Sequence, residues 1–271
     1  WFMRFTDTIC SSCARGCAVT VGSRNERVLR MTPRNNPEVN DSWMCDHGRL
    51  HYAFANDESR IVTPKVDGRP VPYAVAVAKA AEILRAAKEQ GILVVASPFL
   101  TNEELFALQG ICDALEVSER WFLKPVGEGD RLLVHPEKCP NARGAAMLGF
   151  REPPAPLPSR EFGALLYVVP REGVALPDEV LSRARRRVVL SLRDHPADVL
   201  FPLTTWIEKD GTVVSAGDRL QRFVKGITFD RNLLPERLVL ERILADLDPV
   251  FRPADTPAQA FARLSAAVPA F

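Results

Sequence analysis

Apolar and polar positions change their spacing repeatedly along the chain, and each change predicts a different kind of structure. Near the start the apolar runs are short. Ala18-Val-Thr-Val-Gly and Arg27-Val-Leu-Arg-Met-Thr32, separated by Ser23-Arg-Asn-Glu26, predict a β-hairpin, and polar sequence from Pro33 to Asp41 predicts a loop. From Pro72 the spacing becomes helical, with Val77, Ala80, Ala81, Leu84 and Ala87 on one face and Gly91 as a stop. Ile92-Leu-Val-Val-Ala96 is then continuously apolar, as expected of a strand covered on both faces. Thr101 and Glu104 form a capping box for a helix whose inner face carries Leu105, Leu108, Ile111, Cys112 and Leu115. The strand pattern returns at Ala164-Leu-Leu-Tyr-Val-Val169 and Arg187-Val-Val-Leu-Ser191, with helical residues 178–185 between them. Val199-Leu-Phe-Pro202 and Thr212-Val-Val-Ser215 read as short strands around a turn at Glu208-Lys-Asp-Gly211. Pro235 opens a helix carrying Leu240, Ile243, Leu244 and Leu247.

Alternating strand and helix predicts an α/β fold with a parallel layer. The expected organisation is a small β module over 1–65, an α/β domain over 66–250 and a helical tail over 251–271. The Pro-rich stretch Glu152-Pro-Pro-Ala-Pro-Leu-Pro158 cannot pair continuously in a sheet, so it is expected to cross the surface as a shortened connection.

Composition narrows the function classes. At 46% hydrophobic and 25% charged, the chain can bury an ordinary core. A formal charge of +1 removes the bulk electrostatic case for nucleic acid or anionic lipid. No apolar run approaches the roughly 18 residues that cross a bilayer, and the opening residues lack the zones of a secretory signal.

The cysteines carry the chemistry. Cys10, Cys13 and Cys17 give C-x2-C-x3-C, and Cys45 follows well downstream in Cys45-Asp-His-Gly-Arg49. A tight loop with three thiolates and a distant fourth can wrap a 4Fe-4S cubane from several sides. Structural zinc also accepts four thiolates, although usually from two separated C-x2-C knuckles, and reduced structural cysteines are the third reading. Around them, Arg15 and Arg49 can stabilise a dianionic site or serve as solvated surface charges. Gly16 and Gly48 can admit close backbone approach or simply make turns, and His47 can couple a proton to reduction or only hydrogen-bond.

Other candidates are weaker. Cys112 on an apolar helical face reads as a buried inert thiol, and His135 with Cys139 forms a two-ligand fragment without a third or fourth partner. The histidines at 47, 51, 135 and 195 make no protease or triad signature, and Gly127-Glu-Gly129 lacks the third glycine of a dinucleotide fingerprint. Arg183-Ala-Arg-Arg-Arg187 reads as a solvated helix end.

The cysteine triplet with Cys45-Asp-His-Gly-Arg49 resembles the iron–sulfur segment of molybdopterin oxidoreductases, and especially that of the G subunit of respiratory complex I, NADH-quinone oxidoreductase. Ser97-Pro-Phe-Leu-Thr-Asn-Glu-Glu104, Pro140-Asn-Ala-Arg-Gly-Ala145, and Ala197-Asp-Val-Leu-Phe-Pro202 through Glu208-Lys-Asp-Gly-Thr212 to Arg219-Leu-Gln-Arg222 resemble later stretches of that family, in its order. The resemblance spans most of residues 6–222.

It implies a Rossmann-like α/β layer and one 4Fe-4S cluster on Cys10, Cys13, Cys17 and Cys45, with Arg15, Gly16, His47, Gly48 and Arg49 around it. It further implies an electron-transfer and scaffold subunit on the cytoplasmic side of an inner-membrane complex, beside partners carrying flavin or further clusters. The membrane arm is reached only indirectly, without insertion and without nucleic acid, and the isolated chain is expected not to be catalytic. Molybdenum members usually carry Lys or Arg where His47 stands, and a complete bis-pterin enzyme is much longer, so no molybdopterin is expected. The rivals are a truncated or split molybdopterin-dependent oxidoreductase of the formate dehydrogenase kind and a structural zinc or interaction module. Related G subunits carry further cluster domains ahead of this region, so a chain opening on Trp1 is expected to be a fragment or a lineage lacking them.

Overall fold

A computed structural model describes residues 2–130, 132–171, 175–230 and 232–271. Strands β1 (Arg4–Ile9), β2 (Ala18–Arg24) and β3 (Arg27–Pro33) form an antiparallel sheet in chain order. The β2–β3 turn is tighter than its polar sequence suggests. Ser23 and Arg24 pair with Val28 and Arg27, leaving Asn25 and Glu26 to turn at φ 50 and 57. β1, which the sequence pattern did not predict, runs in register from Arg4 opposite Ser23 to Ile9 opposite Ala18. The cysteine triplet is therefore the loop that closes the β1–β2 hairpin, where the Cys10 amide donates to the Cys17 carbonyl at 2.8 Å.

A short helix, α1 (Asp46–Leu50), follows Cys45, and the edge hairpin β4 (Lys65–Val66) and β5 (Arg69–Pro70) leads into the larger layer. There α2 (Tyr73–Ala86), β6 (Ile92–Ala96), α3 (Asn102–Ala114), β7 (Glu119–Phe122), α4 (Ala142–Met147), β8 (Phe162–Val168), α5 (Asp178–Ser182), β9 (Ala184–Ser191) and β10 (Val199–Pro202) alternate. The sheet order is β5-β4-β10-β9-β8-β6-β7. All neighbours from β10 to β7 are parallel, and β4 and β5 add antiparallel strands at one edge. The mostly parallel sheet explains the continuous apolar runs. Val94 and Ala96 face α2 and α3, while Leu93 and Val95 pack with Trp121, Leu165 and Tyr167 on the other side.

The basic stretch at 183–187 corrects the expectation of a helix end. α5 stops at Ser182, and Ala184 to Arg187 are the first half of β9. Strand pairing wins because β8 offers a ladder partner and Asp198 takes both the Arg186 guanidinium, at 2.6 Å, and the Arg187 amide. Residues 152–158 cross the surface without regular structure, as their prolines require.

β11 (Gly211–Ser215) and β12 (Arg219–Phe223) form a separate hairpin, reached through a 3-10 turn at Trp206–Glu208. α6 (Glu236–Leu247) and α7 (Pro257–Ala267) then pack against α3. The core beneath the three-stranded sheet is shared across the chain. Ile9, Val19, Val21 and Met31 pack with Trp206, Ile207, Val213 and Phe223, so the cysteine module is seated on the larger layer by residues from 206 onward. Among the described residues no helix is long and apolar enough to cross a membrane.

Candidate metal centre

Cys10, Cys13 and Cys17 are buried on the β1–β2 loop, and Cys45, half-buried, is the N-cap of α1, whose Gly48 amide donates to its Sγ at 3.3 Å. Gly48 stands between the two sources of thiols. A Cβ added there would lie 3.0 Å from Cys10 Sγ and 3.6 Å from Cys45 Sγ, so the missing side chain keeps that space open. Burial pushes the Cys10 thiol up, against hydrogen bonds from Ser12, and Cys13 and Cys45 raise it further. Burial likewise pushes Cys17 up to about 12, with Cys10, Cys13 and Cys45 adding to the rise and Arg15 opposing it. The four sulfurs thus share one electrostatic neighbourhood.

Among the described residues, no three His, Cys, Asp or Glu side chains are grouped to hold a single ion. Four thiolates on one zinc at about 2.3 Å would sit about 3.7 Å apart. A cubane instead takes one thiolate at each iron corner and needs them spread around its faces. Four neighbouring thiols, with Gly48 holding space between Cys10 and Cys45, are a donor set that a cubane accepts and that zinc accepts too. A cleft of about 440 Å³ runs along Cys13 and Cys45, bordered by His47, Val126 and Lys138.

The surrounding residues predicted from sequence divide. Arg15 lies near enough to draw the Cys17 thiol down and donates to the Val39 carbonyl at 3.3 Å. His47 is exposed at the cleft, its ring 4.7 Å from that of His51, and Arg49 is half-buried on α1. Gly16 makes room for a neighbouring strand. At φ +66 its added Cβ would fall 2.2 Å from Gln221 Oε1, and Gln221 donates to the Gly16 carbonyl at 2.9 Å, so this glycine lets β12 dock on the loop.

Cys112 is buried on α3, where burial pushes its thiol up to about 12. Cys139 is also fully buried, and the charges that raise its thiol after burial include Glu137 and Cys13, placing a fifth sulfur beside the triplet loop. His135 accepts the Glu137 amide on Nδ1 at 3.2 Å. Sequence reasoning missed Ser12, Glu137 and Gln221. Only Ser12, a small polar residue between ligands, carried any local signal.

Chain order reverses between β6 and β8, and the crevice at their carboxyl ends is where open α/β sheets take ligands. Here side chains fill it. Phe54, Phe99 and Trp206 converge on it, the Arg171 guanidinium lies 4.1 Å from the Phe54 ring centroid and 4.8 Å from that of Phe99, and Arg171 donates to Ser11 Oγ at 3.0 Å. About 40 Å³ of open space remains, room for about three waters.

The thiol loop thus lies on a three-stranded sheet seated at the switch point of a mostly parallel layer. Residues 3–57 match the model of the molybdopterin oxidoreductase Fe4S4 domain. The chain is also 27% identical to the NADH-quinone oxidoreductase G subunit of Pseudomonas putida over 194 residues, covering 71% of this chain and 19% of that protein. It is 31% identical over 136 residues to the G subunit of the Escherichia coli enzyme, covering 48% and 14% respectively. It is 42% identical over 73 residues to NADH-quinone oxidoreductase subunit 3 of Thermus thermophilus, covering 26% and 9%. The chain carries an Fe4S4 domain at its N-terminus and is homologous over part of its length to the G subunit of NADH-quinone oxidoreductase. It spans less than a fifth of the length of these relatives.

Proposed function

We propose that this chain holds one 4Fe-4S cluster on Cys10, Cys13, Cys17 and Cys45 and serves as an electron-transfer and scaffold subunit of an NADH-quinone oxidoreductase-type assembly, with no substrate chemistry of its own. The observation carrying this reading is that the four thiols influence one another electrostatically, with Gly48 keeping space between Cys10 and Cys45. Such a cluster, when bound, supplies reversible one-electron chemistry.

The chain's own residues do the rest. Ser12 donates to Cys10 and the Gly48 amide to Cys45, which stabilises thiolate at both positions. Arg15 offsets negative charge at Cys17. Cys45, the half-buried ligand beside the open cleft, marks the edge at which a partner carrying flavin or another cluster would approach. The filled switch-point crevice, at about 40 Å³, supports a reading without molybdopterin at that place, whereas the cleft of about 440 Å³ along Cys13 and Cys45 is the larger space. The resemblance to the complex I relatives supports placement on the cytoplasmic side of the membrane, as a peripheral part of the complex.

Anaerobic reconstitution followed by iron and sulfide counts, Mössbauer spectroscopy and EPR of the reduced protein tests the assignment. Four irons and four sulfides per chain, lost on Cys→Ser replacement at any of the four positions, are expected. One zinc without sulfide, or stoichiometric molybdenum with extractable pterin, would refute it.

A further inference from the structure

Away from the thiols, the crevice wall holds a buried ionic triad that the proposed function leaves unused. Lys209 Nζ lies 2.8 Å from Glu104 Oε2 on α3 and 3.2 Å from Glu236 Oε2 on α6, and all three side chains are at most 4% exposed. Two carboxylates with one ammonium leave a net negative charge when fully ionised, in a setting where unbalanced charge is costly. The donors are unequal. Glu236 accepts from the Thr204 amide at 2.7 Å, the Thr204 hydroxyl at 2.6 Å and Lys209, whereas among the described residues Glu104 Oε2 accepts the Thr101 amide, at 2.8 Å, and Lys209 alone. An extra proton therefore belongs on Glu104.

We infer that Glu104 is a redox-linked proton acceptor, taking up a proton when the neighbouring iron–sulfur site gains an electron. The inference rests on the cluster reading above. Its geometric basis is the shared crevice, since Lys209 and Glu236 line the same space as Ile9 and Ser11, the residues flanking Cys10. Glu104 reaches that space through its bond to Lys209, and negative charge arriving across the crevice raises the proton affinity of a buried carboxylate that water screens little. Burial already holds Glu104 up to about 7, against the pull of Lys209, so both protonation states are accessible near neutrality.

Other charged groups packed around the triad are committed elsewhere. Glu103 accepts from Thr212, Arg60 pairs with Glu208 Oε2 while Glu208 Oε1 is buried without a partner among the described residues, Arg237 pairs with Glu241, and Arg171 lies on Phe54 and Phe99. The Tyr73 hydroxyl accepts from the Leu234 amide. The Trp206 Nε1 hydrogen is buried without a partner among the described residues, and Trp206 borders the same small space, which has room for the waters that would deliver a proton. The balance is one electron from a reduced flavin or iron–sulfur partner onto the cluster and one solvent proton onto a Glu104 oxygen, both released on reoxidation.

The experiment is a dithionite titration of the cluster between pH 5.5 and 8.5, read by EPR on samples with counted iron and sulfide, in the wild type and in Glu104→Gln and Lys209→Met. The wild-type midpoint should fall with rising pH across neutrality, Glu104→Gln should flatten that dependence, and Lys209→Met should move it to higher pH. Infrared difference spectra of the wild type with 13C-labelled glutamate should show a carboxylic acid band gained on reduction, a readout independent of whether either variant folds. A pH-independent wild-type midpoint, an unchanged slope in Glu104→Gln, or no such band at full cluster occupancy would overturn the inference alone. Absence of iron and sulfide would overturn the cluster reading and this one with it.

Discussion

Glu208→Gln is the most informative single perturbation, because it removes one charge from a buried pair while leaving its hydrogen-bond acceptor. Arg60 and Glu208 meet at 2.7 Å with side-chain exposures of 1% and 3%. Arg60 also donates to the carbonyls of Ala55 and Leu203 and lies 4.3 Å from the Phe229 ring centroid, so one guanidinium ties the segment after α1 to the end of β10. Glu208 Oε2 further accepts the Thr205 amide and hydroxyl, which cap the 3-10 turn. Stranding one member of a buried pair costs about 3–5 kcal/mol. The two carbonyls and the Phe229 ring soften this for Arg60, so about 3 kcal/mol is expected for Glu208→Gln and a similar loss for Arg60→Met.

At about 2–4 °C per kcal/mol for a domain of this size, each should lower Tm by roughly 6–12 °C. Urea unfolding followed by tryptophan fluorescence, closed as a double-mutant cycle with Arg60→Met/Glu208→Gln, measures the coupling. The double variant should lose at least about 2 kcal/mol less than the sum of the singles. Thiol labelling adds a local readout, since loosening Ala55 should make Cys45 react faster before global unfolding. Additive losses, or less than about 1 kcal/mol for Glu208→Gln, would refute the claim that this pair fastens the cysteine module to the sheet.

Three further outcomes follow from the same reasoning. Glu104 has its carboxyl raised from 4.5 to about 7, so the folded state binds the extra proton: stability present below pH 4.5 is lost as pH rises through 7, by about 3 kcal/mol at most, and Glu104→Gln should flatten that part of the urea-midpoint profile. Gly16→Ala should cost about 2–3 kcal/mol in urea unfolding, from its left-handed backbone and the clash with Gln221, whereas Gly217→Ala, at φ +76 with no atom within 4 Å of the new Cβ, should cost only about 1 kcal/mol. Cys112→Ala and Cys139→Ser should both retain full iron after reconstitution, and iron loss from a folded Cys139→Ser protein would make that thiol a ligand despite its place outside the triplet.

The local rules made much of this molecule legible. Thr101 and Glu104 form the expected capping box, and Ile92-Leu-Val-Val-Ala96 is the expected central strand. β1 escaped notice because Arg4-Phe-Thr-Asp-Thr-Ile9 carries only weak alternation, its exposed Phe5 against a buried Thr8 blurring the period-2 signal. β7 is only four residues long, and the first half of β9 is rich in arginine, so pairing with a neighbour decides both where local propensity does not. At the thiol site the cysteines stood out because three lie within one loop. The groups that fasten and tune it did not. Arg60 and Glu208 are 148 positions apart, and Lys209 and Glu104 are 105 apart, so only folding makes them neighbours.

The same substructure that closes the ligand crevice also seats the thiols. Trp206 packs in the shared core beneath β1 and β2 and, with Phe54 and Phe99, fills the carboxyl end of the parallel sheet. Phe54 belongs to the 3-10 turn after α1, and Arg171 links its ring to Ser11 on the triplet loop, so filling that space physically joins both thiol-bearing segments. A bound cofactor of the size such crevices accept would have to displace these contacts, and with them the wall that orients Cys10 and Cys45. Aromatic side chains therefore brace this crevice and the thiol-bearing segments together.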